Sequence, residues 1–344
     1  MPSTLLSRRA LLRYGLAGGA LALAGGGWMA ARRWRGRYEV RAVRTMMNSD
    51  VSILAVADSP DHGHRAIAAA FDRMAQAATA LNRFDPDSAV GRLNRHGHLA
   101  EPPQDLLTVL ARARQVSEQS GGAFDITVQP LMAYYFSLPR PVDLNRLDRQ
   151  AVAARDRLVD YRKVRVDGGG VHLDEAGMGI TLDGIAKGYI VDLGADQLLA
   201  HGIDEAVIDA GGDVRTLSRG PSGRTWTIGI ADPIDQSKLF ASVPMRNGAL
   251  STSGNYEIFF SADKRLFHIV DPHTGLSPDM YSSVTILAER NIDSDAFGTA
   301  LFPLPLARIG EVMRPDGPQW LAIDWNGRRS WQSADMPVSA KHSA

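Results

Sequence analysis

The chain has 344 residues, 44% of them hydrophobic and 22% charged, which is enough to bury one large core or two modest ones. Lys plus Arg and Asp plus Glu both number 38, so the formal net charge is zero and a nucleic-acid partner is not indicated. The absence of cysteine excludes disulfides, thiolate nucleophiles, cysteine-held metals and a cysteine-linked N-terminal lipid, so any metal must sit on oxygen or imidazole.

The pair Arg8-Arg9 precedes an apolar stretch from Tyr14 to Ala31 whose six glycines weaken it as a membrane helix. This resembles a twin-arginine export signal. Export by that route carries folded proteins, often with a cofactor already bound, and sets the expectation of a periplasmic or extracytoplasmic cofactor enzyme. The alternative is an uncleaved N-terminal membrane anchor, favoured by Arg32, Arg33, Arg35 and Arg37 just beyond the stretch. Ala24 and Ala31 are both imperfect cleavage points. Residues 1–37 are therefore set apart from a folded unit spanning 38–344.

From Tyr38 onward strands and helices alternate without a repeat or a low-complexity linker. Val51 to Ala57 reads as a strand, and Ile67, Phe71, Met74, Ala78 and Leu81 step by helical spacing. A second helix runs from about Pro103 to Ser120, ended by Gly121-Gly122, and a weaker one covers about Arg146 to Leu158. Strands are expected at Lys163 to Val166 and at Met178 to Leu182, the latter passing through Asp183-Gly184 into a helix that ends near His201-Gly202. Ala206 to Ala210 and Val214 to Leu217 flank the turn Gly211-Gly212-Asp213. Further strands are expected at Trp226 to Ile230, Ala241 to Val243, Glu257 to Phe260, Leu266 to Val270 and Val284 to Leu287. A last helix starts near Ser294, and Trp320 to Trp325 with Arg329 to Gln332 reads as a closing hairpin. The fold class is α+β rather than a doubly wound sheet.

Several chemistries lack their signatures. No phosphate loop ends in Gly-Lys-Ser/Thr, and Gly177-Met178-Gly179 has Leu182 where a third dinucleotide glycine belongs. His268 and His273 flank a turn and offer no zinc-protease helix face. Ser251 and Ser253 lack the hydrolase elbow.

Five segments carry chemistry in combination. Leu81 to Ser88 ends a helix in a proline turn, with Asp87 or Ser88 capping the next helix and Phe84 able to stack on a flat ring. In Ser120 to Thr127 two glycines permit close backbone approach to a ligand, and Asp125 can accept hydrogen bonds; a plain helix end reads equally well. In Ile180 to Tyr189 a chain enters a helix through small residues, exposing amides that favour phosphate, with Lys187 in the first turn against the helix dipole. His268 precedes the tight turn Asp271-Pro272-His273-Thr274-Gly275. In Asp293 to Leu301, Asp295 and Thr299 are four apart and share one helix face, so a carboxylate and a hydroxyl can meet a single hard cation; an acidic cap with a buried threonine is the alternative.

In this order the segments resemble the FAD:protein FMN transferase family, the ApbE-like flavin transferases, from about Arg41 to Trp325. The most specific parts are Gly184 to Tyr189, Asp271-Pro272-x-Thr274-Gly275, and Asp295-Ala296-x-x-Thr299-Ala300-Leu301. The resemblance implies an α+β unit of two interleaved lobes with FAD held in the cleft between them. It implies FAD contacts at Met47, Phe84, Ala123, Phe124, Asp125, Thr181, Lys187 and Ile269, and a Mg2+ site at Asp295, Thr299 and the carbonyl of Gly184. Three positions depart from the family pattern: Met47-Asn48-Ser49 for Met-Gly-Thr, Thr181 for a frequent aspartate, and Phe84 for tyrosine. The reaction implied is attack of a partner protein's Thr or Ser hydroxyl on the FMN-side phosphorus of FAD, with AMP leaving. Lys187 and Asp295 would serve the phosphates, and His268 is the candidate base. The partners are then FAD and an envelope protein with an exposed Thr or Ser, whose access calls for a cleft open on one side and lined by Gly184 and the turn Gly211-Gly212-Asp213. A hydrolase releasing FMN and AMP, or a non-catalytic exported FAD-binding protein, are the alternatives.

Overall fold

The computed structural model describes residues 21–23, 27–34, 36–220, 223–314 and 316–339. Arg8 and Arg9 lie outside them. Among the described residues no helix is long and apolar enough to cross a membrane. In chain order the first strands are β1 (Leu21–Leu23), β2 (Gly27–Trp34), β3 (Arg37–Met46) and β4 (Ser49–Ala57). Thus β2, paired antiparallel with β3, falls within the stretch set apart by its sequence. Met47 and Asn48 join β3 to β4 with φ of 52° and 56°, a two-residue turn of the kind whose twist suits a hairpin.

Helix α1 (Pro60–Leu81) begins where Ser59 accepts the His62 N–H and Pro60 fits the first turn. Next come α2 (Ala89–His96), β5 (His98–Leu99), α3 (Gln104–Ser120), α4 (Gln129–Ser137), α5 (Arg149–Asp156), β6 (Val164–Asp167) and β7 (Gly170–Leu173). Ser88, not Asp87, caps α2, and Gly121 ends α3 in the left-handed conformation. They are followed by α6 (Ala186–Ala200), β8 (Ala206–Ala210), β9 (Asp213–Leu217), β10 (Trp226–Ala231), β11 (Leu239–Met245) and β12 (Gly248–Gly254). The chain closes with β13 (Tyr281–Ala288), α7 (Asn291–Leu301), α8 (Leu306–Val312), β14 (Gln319–Asp324) and β15 (Ser330–Gln332).

Among the described residues ten strands form one antiparallel sheet in the order β1-β2-β3-β4-β8-β9-β12-β13-β14-β15, while β10-β11 and β5-β7-β6 are separate small sheets. Because successive strand residues point to opposite faces, the sheet feeds two cores. Ile53, Ile208 and Ile286 join Phe71 and Met74 of α1, Val191 and Leu198 of α6, and Phe297 and Leu301 of α7. Val207, Val214, Leu250 and Leu321 point the other way, against Trp226, Ile228 and Val243 of the β10-β11 ribbon. A third cluster joins Leu131, Tyr135 and Val152 to Phe260, Leu266 and Val270. The mixed α+β expectation is met.

Three expected strands are absent from the sheets, and side chains take some of the backbone groups a ladder would use. Met178 to Leu182 is not a strand: the Asn94 side chain donates to the Ile180 carbonyl at 2.8 Å and accepts its N–H at 2.7 Å, standing in for a neighbouring strand. Glu257 to Phe260 and Leu266 to Val270 meet at the isolated Phe259–Phe267 bridge. Ser261 Oγ takes the Leu266 N–H and Ser277 Oγ that of Phe267. Conversely, β12 and α4 carry little periodic signal. The small polar residues of β12 are buried against α7, where Asn291 donates to Ser251 Oγ at 3.0 Å.

Candidate active site

The first turn of α6 and the middle of α7 lie against each other, and glycine is what permits the approach. A Cβ on Gly184 would stand 2.7 Å from Thr299 Oγ1, and one on Gly188 would stand 2.2 Å from the Asn291 carbonyl oxygen and 2.8 Å from Asp295 Cβ. The Gly188 N–H, one of the amides that a helix start leaves without an intrahelical partner, donates to Asp295 Oδ2 at 2.9 Å. Three expected metal ligands, Gly184, Asp295 and Thr299, are thus brought together. No group of three or more His, Cys, Asp or Glu among the described residues could hold a metal, so a cation here would depend on one carboxylate with hydroxyl and carbonyl oxygens.

Lys187 projects from the same turn, where the helix dipole disfavours a cation. Its partner is Asp213, the buried residue that opens β9, with Nζ 2.6 Å from Oδ2. Burial works against the ammonium, but the carboxylates of Asp213, Asp295 and Glu257 outweigh it and hold Lys187 charged, above its ordinary range. Asp295 is pushed well above the usual carboxylate range by burial first and by the neighbouring Asp213 second, with Lys187 opposing. Several carboxylates thus crowd one ammonium at this turn, and a further cation would relieve the crowding.

His268 lies opposite Ile258, whose carbonyl accepts both the His268 backbone N–H at 2.9 Å and a contact from Nδ1 at 3.2 Å. A carbonyl can only accept, so Nδ1 carries the ring proton and Nε2 is the basic nitrogen. Burial lowers the imidazole's pKa, with the charges of Glu257 and Asp183 opposing. The ring is therefore neutral at physiological pH. Ile269 beside it is buried. In the turn that follows, Asp271 accepts the His273 N–H on its side chain and those of Thr274 and Gly275 on its carbonyl, so this aspartate is a turn former.

The expected flavin-side residues divide into two groups. Phe84 is 61% exposed, with the Arg83 guanidinium 3.9 Å from its ring centroid and Phe136 edge-on at 6.4 Å. Arg83 in turn holds Asp183, the residue before Gly184, at 2.8 Å, which ties the aromatic shelf to the pocket. Met47 is half-buried in the hairpin turn, and Ser49 after it packs against Gly211 of the turn leading to Asp213. The second group is buried in the framework. Ala123 and Phe124 are almost fully covered. Asp125 accepts from the Thr127 N–H at 2.8 Å, the Thr127 hydroxyl at 2.6 Å and the Tyr161 N–H at 2.8 Å. Thr181 is covered, its N–H on the Ile126 carbonyl at 2.7 Å and its hydroxyl accepting from Asp183, so the second and third segments are joined directly.

Arg83, Glu257 and Asn94 carry no role in the sequence reading, whereas Asp213 lies in the turn expected to line the cleft. For Asp213 a signal existed, since a lysine in a first helical turn implies an anionic partner and Gly211-Gly212-Asp213 is a turn apt to supply one. The others come from distant segments and have no local signature.

Comparison with known proteins adds to this geometry. The model described as the ApbE family matches residues 47–321. A Treponema pallidum protein named FAD:protein FMN transferase is 34% identical over 279 residues, which are 73% of this chain and 74% of that protein. A Vibrio cholerae protein of the same name is 31% identical over 229 residues, 64% of this chain and 68% of the other. The fold is similar to the crystal structure of the ApbE protein from Thermotoga maritima, with a TM-score of 0.75, 27% identity, and 87% of this chain and 97% of that one covered.

Proposed function

The chain belongs to the ApbE family, and on that premise we propose that it is an FAD:protein FMN transferase, which moves the FMN half of FAD onto a Thr or Ser hydroxyl of a partner protein and releases AMP. The observation that carries this reading is the meeting of Lys187, Asp213, Asp295 and Thr299 at the Gly184 turn. A histidine with a lowered pKa belongs to the same charge cluster.

The donors at that turn are hard oxygens. Asp295 spends Oδ2 on the Gly188 amide, leaving Oδ1 for a ligand, and the Thr299 hydroxyl stands against Gly184. This set fits magnesium, which prefers oxygen and completes its shell with water and substrate phosphates. Asp295, Thr299 and the Gly184 carbonyl would hold it. When bound, it supplies positive charge against the pyrophosphate.

The chain's own groups account for the remainder of the reaction. In this reading FAD lies extended in a cleft between two lobes, its flavin against the exposed Phe84 ring and Met47, while the covered residues Ala123, Phe124, Asp125, Thr181 and Ile269 back the path as framework. Lys187, held charged by Asp213, meets the phosphates. The acceptor hydroxyl gives its proton to Nε2 of His268 as its oxygen bonds to the FMN-side phosphorus. The bond from that phosphorus to the bridging oxygen breaks, and AMP leaves with the electron pair. Arg8-Arg9 and the glycine-rich apolar stretch support export in the folded state, so the activity and its acceptor belong outside the cytoplasm, in the cell envelope. An uncleaved N-terminal anchor is the alternative form of the same location.

The test is incubation of the purified protein with FAD, magnesium and an envelope extract. AMP should appear together with an equal amount of FMN bound through phosphate to protein, seen as a fluorescent band. Rapid release of free FMN without an adduct would make the protein an FAD pyrophosphatase, and FAD intact under every condition would make it a non-catalytic FAD-binding protein.

A further inference from the structure

Helix α7 carries both side chains of the cation site, yet it begins without a cap of its own: Arg290 at its N-cap position makes no side-chain bond to the helix. Its first two amides are taken instead by a residue of another helix. Asp192 of α6 accepts the Asn291 N–H on Oδ1 and the Ile292 N–H on Oδ2, each at 2.9 Å. The Asp192 side chain has no exposure to solvent, and Arg215 of β9 and Arg290 stand 3.3 and 3.4 Å from it. A carboxylate so deeply placed is retained because these two guanidinium groups and the two amides replace its water.

Asp192 lies four residues after Gly188, so the two share one face of α6. That face grips α7 at two levels, with Asp192 on its opening amides and the Gly188 N–H on Asp295 Oδ2. Gly184, at the turn into α6, meets Thr299 further along α7. The register between the two helices therefore decides whether Asp295, Thr299 and the Gly184 carbonyl converge. Polar bonds beneath the same end of α7 add to the grip, where Asn291 donates to Ser251 and Ser294 Oγ at 3.0 and 2.9 Å.

We propose that Asp192 is a positioning residue for the cation site, capping α7 from α6 so that Asp295 and Thr299 are held at the Gly184 turn. This rests on the magnesium-dependent reading above. Asp192 touches neither cation nor substrate in this role. Its removal should act on cation affinity while leaving the chemistry of a filled site largely intact.

The test compares wild type with Asp192→Asn, which keeps one acceptor oxygen and loses the charge between two arginines, and with Arg290→Gln, a milder change at a half-exposed side chain. Magnesium is titrated in two ways: by the rise in Tm it induces without FAD, and by the rate of AMP release. Half-saturating magnesium should rise about tenfold in Asp192→Asn in both measurements, the scale of a lost helix cap. The rate at saturating magnesium should return to within about threefold of wild type, and Arg290→Gln should shift less in the same direction. Should Asp192→Asn not fold, the direction of the Arg290→Gln shift decides. Variants with lower basal Tm but unchanged half-saturating magnesium would make Asp192 merely structural and overturn the proposal. A wild type indifferent to magnesium in both measurements would overturn the cation site itself, and the proposal with it.

Discussion

Asp125 and Asp295 are both buried aspartates whose carboxyls burial pushes upward, yet their surroundings differ in kind. Asp125 receives three donors, from Thr127 and Tyr161, and ties the start of a short 3-10 turn to a distant segment. Asp295 receives one, from Gly188, and faces a second carboxylate, Asp213, and an ammonium rather than a full set of amides. A buried carboxylate with its lone pairs filled by protein is part of the framework. One left short of donors in an anionic pocket is suited to a ligand that brings positive charge.

Opposite responses to truncation would sharpen that contrast. Asp295→Ala should lower FMN transfer by about a thousandfold or more, since the proposed cation loses its one carboxylate, while thermal stability falls little because relief of a poorly satisfied buried carboxyl offsets the lost Gly188 amide bond. AMP production at the wild-type rate under matched magnesium would remove Asp295 from the site. Asp125→Ala should do the reverse, costing roughly 2 kcal/mol in denaturant unfolding as the Thr127 and Tyr161 amides lose their acceptor. Its activity should follow the folded fraction. If Asp125→Ala instead abolishes FAD binding at full stability, the residue belongs with the ligand contacts.

His268 extends the comparison to pH. Burial places its folded pKa below 6.5, so the basic form should persist on acidification and the rate should stay flat through pH 6.5, falling only beneath it. The acid limb of the rate profile measures this, and His268→Ala should lose both the limb and most of the rate. A limb centred above 6.5 would contradict the assignment. The smallest effect is expected at the rim, where Phe84→Ala removes an exposed ring. The apparent KM for FAD should rise roughly fivefold, about 1 kcal/mol of stacking, with kcat little changed.

How much was legible beforehand follows the range of the forces involved. The helical stripe from Ile67 to Leu81, the Gly121 helix end, the turn before Asp213 and the i, i+4 pair Asp295 and Thr299 are local patterns of polarity and backbone freedom, and the structure keeps each of them. The motif order was equally legible, and it identified the family. Expectations failed where local propensity was overridden by a distant side chain, as where Asn94 occupies the backbone of Ile180 and removes the need for a neighbouring strand. The Tyr161 donor on Asp125 and the cap that Asp192 supplies to α7 were decided only by tertiary structure. Each joins segments far apart in the chain, and a buried charge is stabilised by whatever the fold brings within hydrogen-bond reach, which no local pattern encodes.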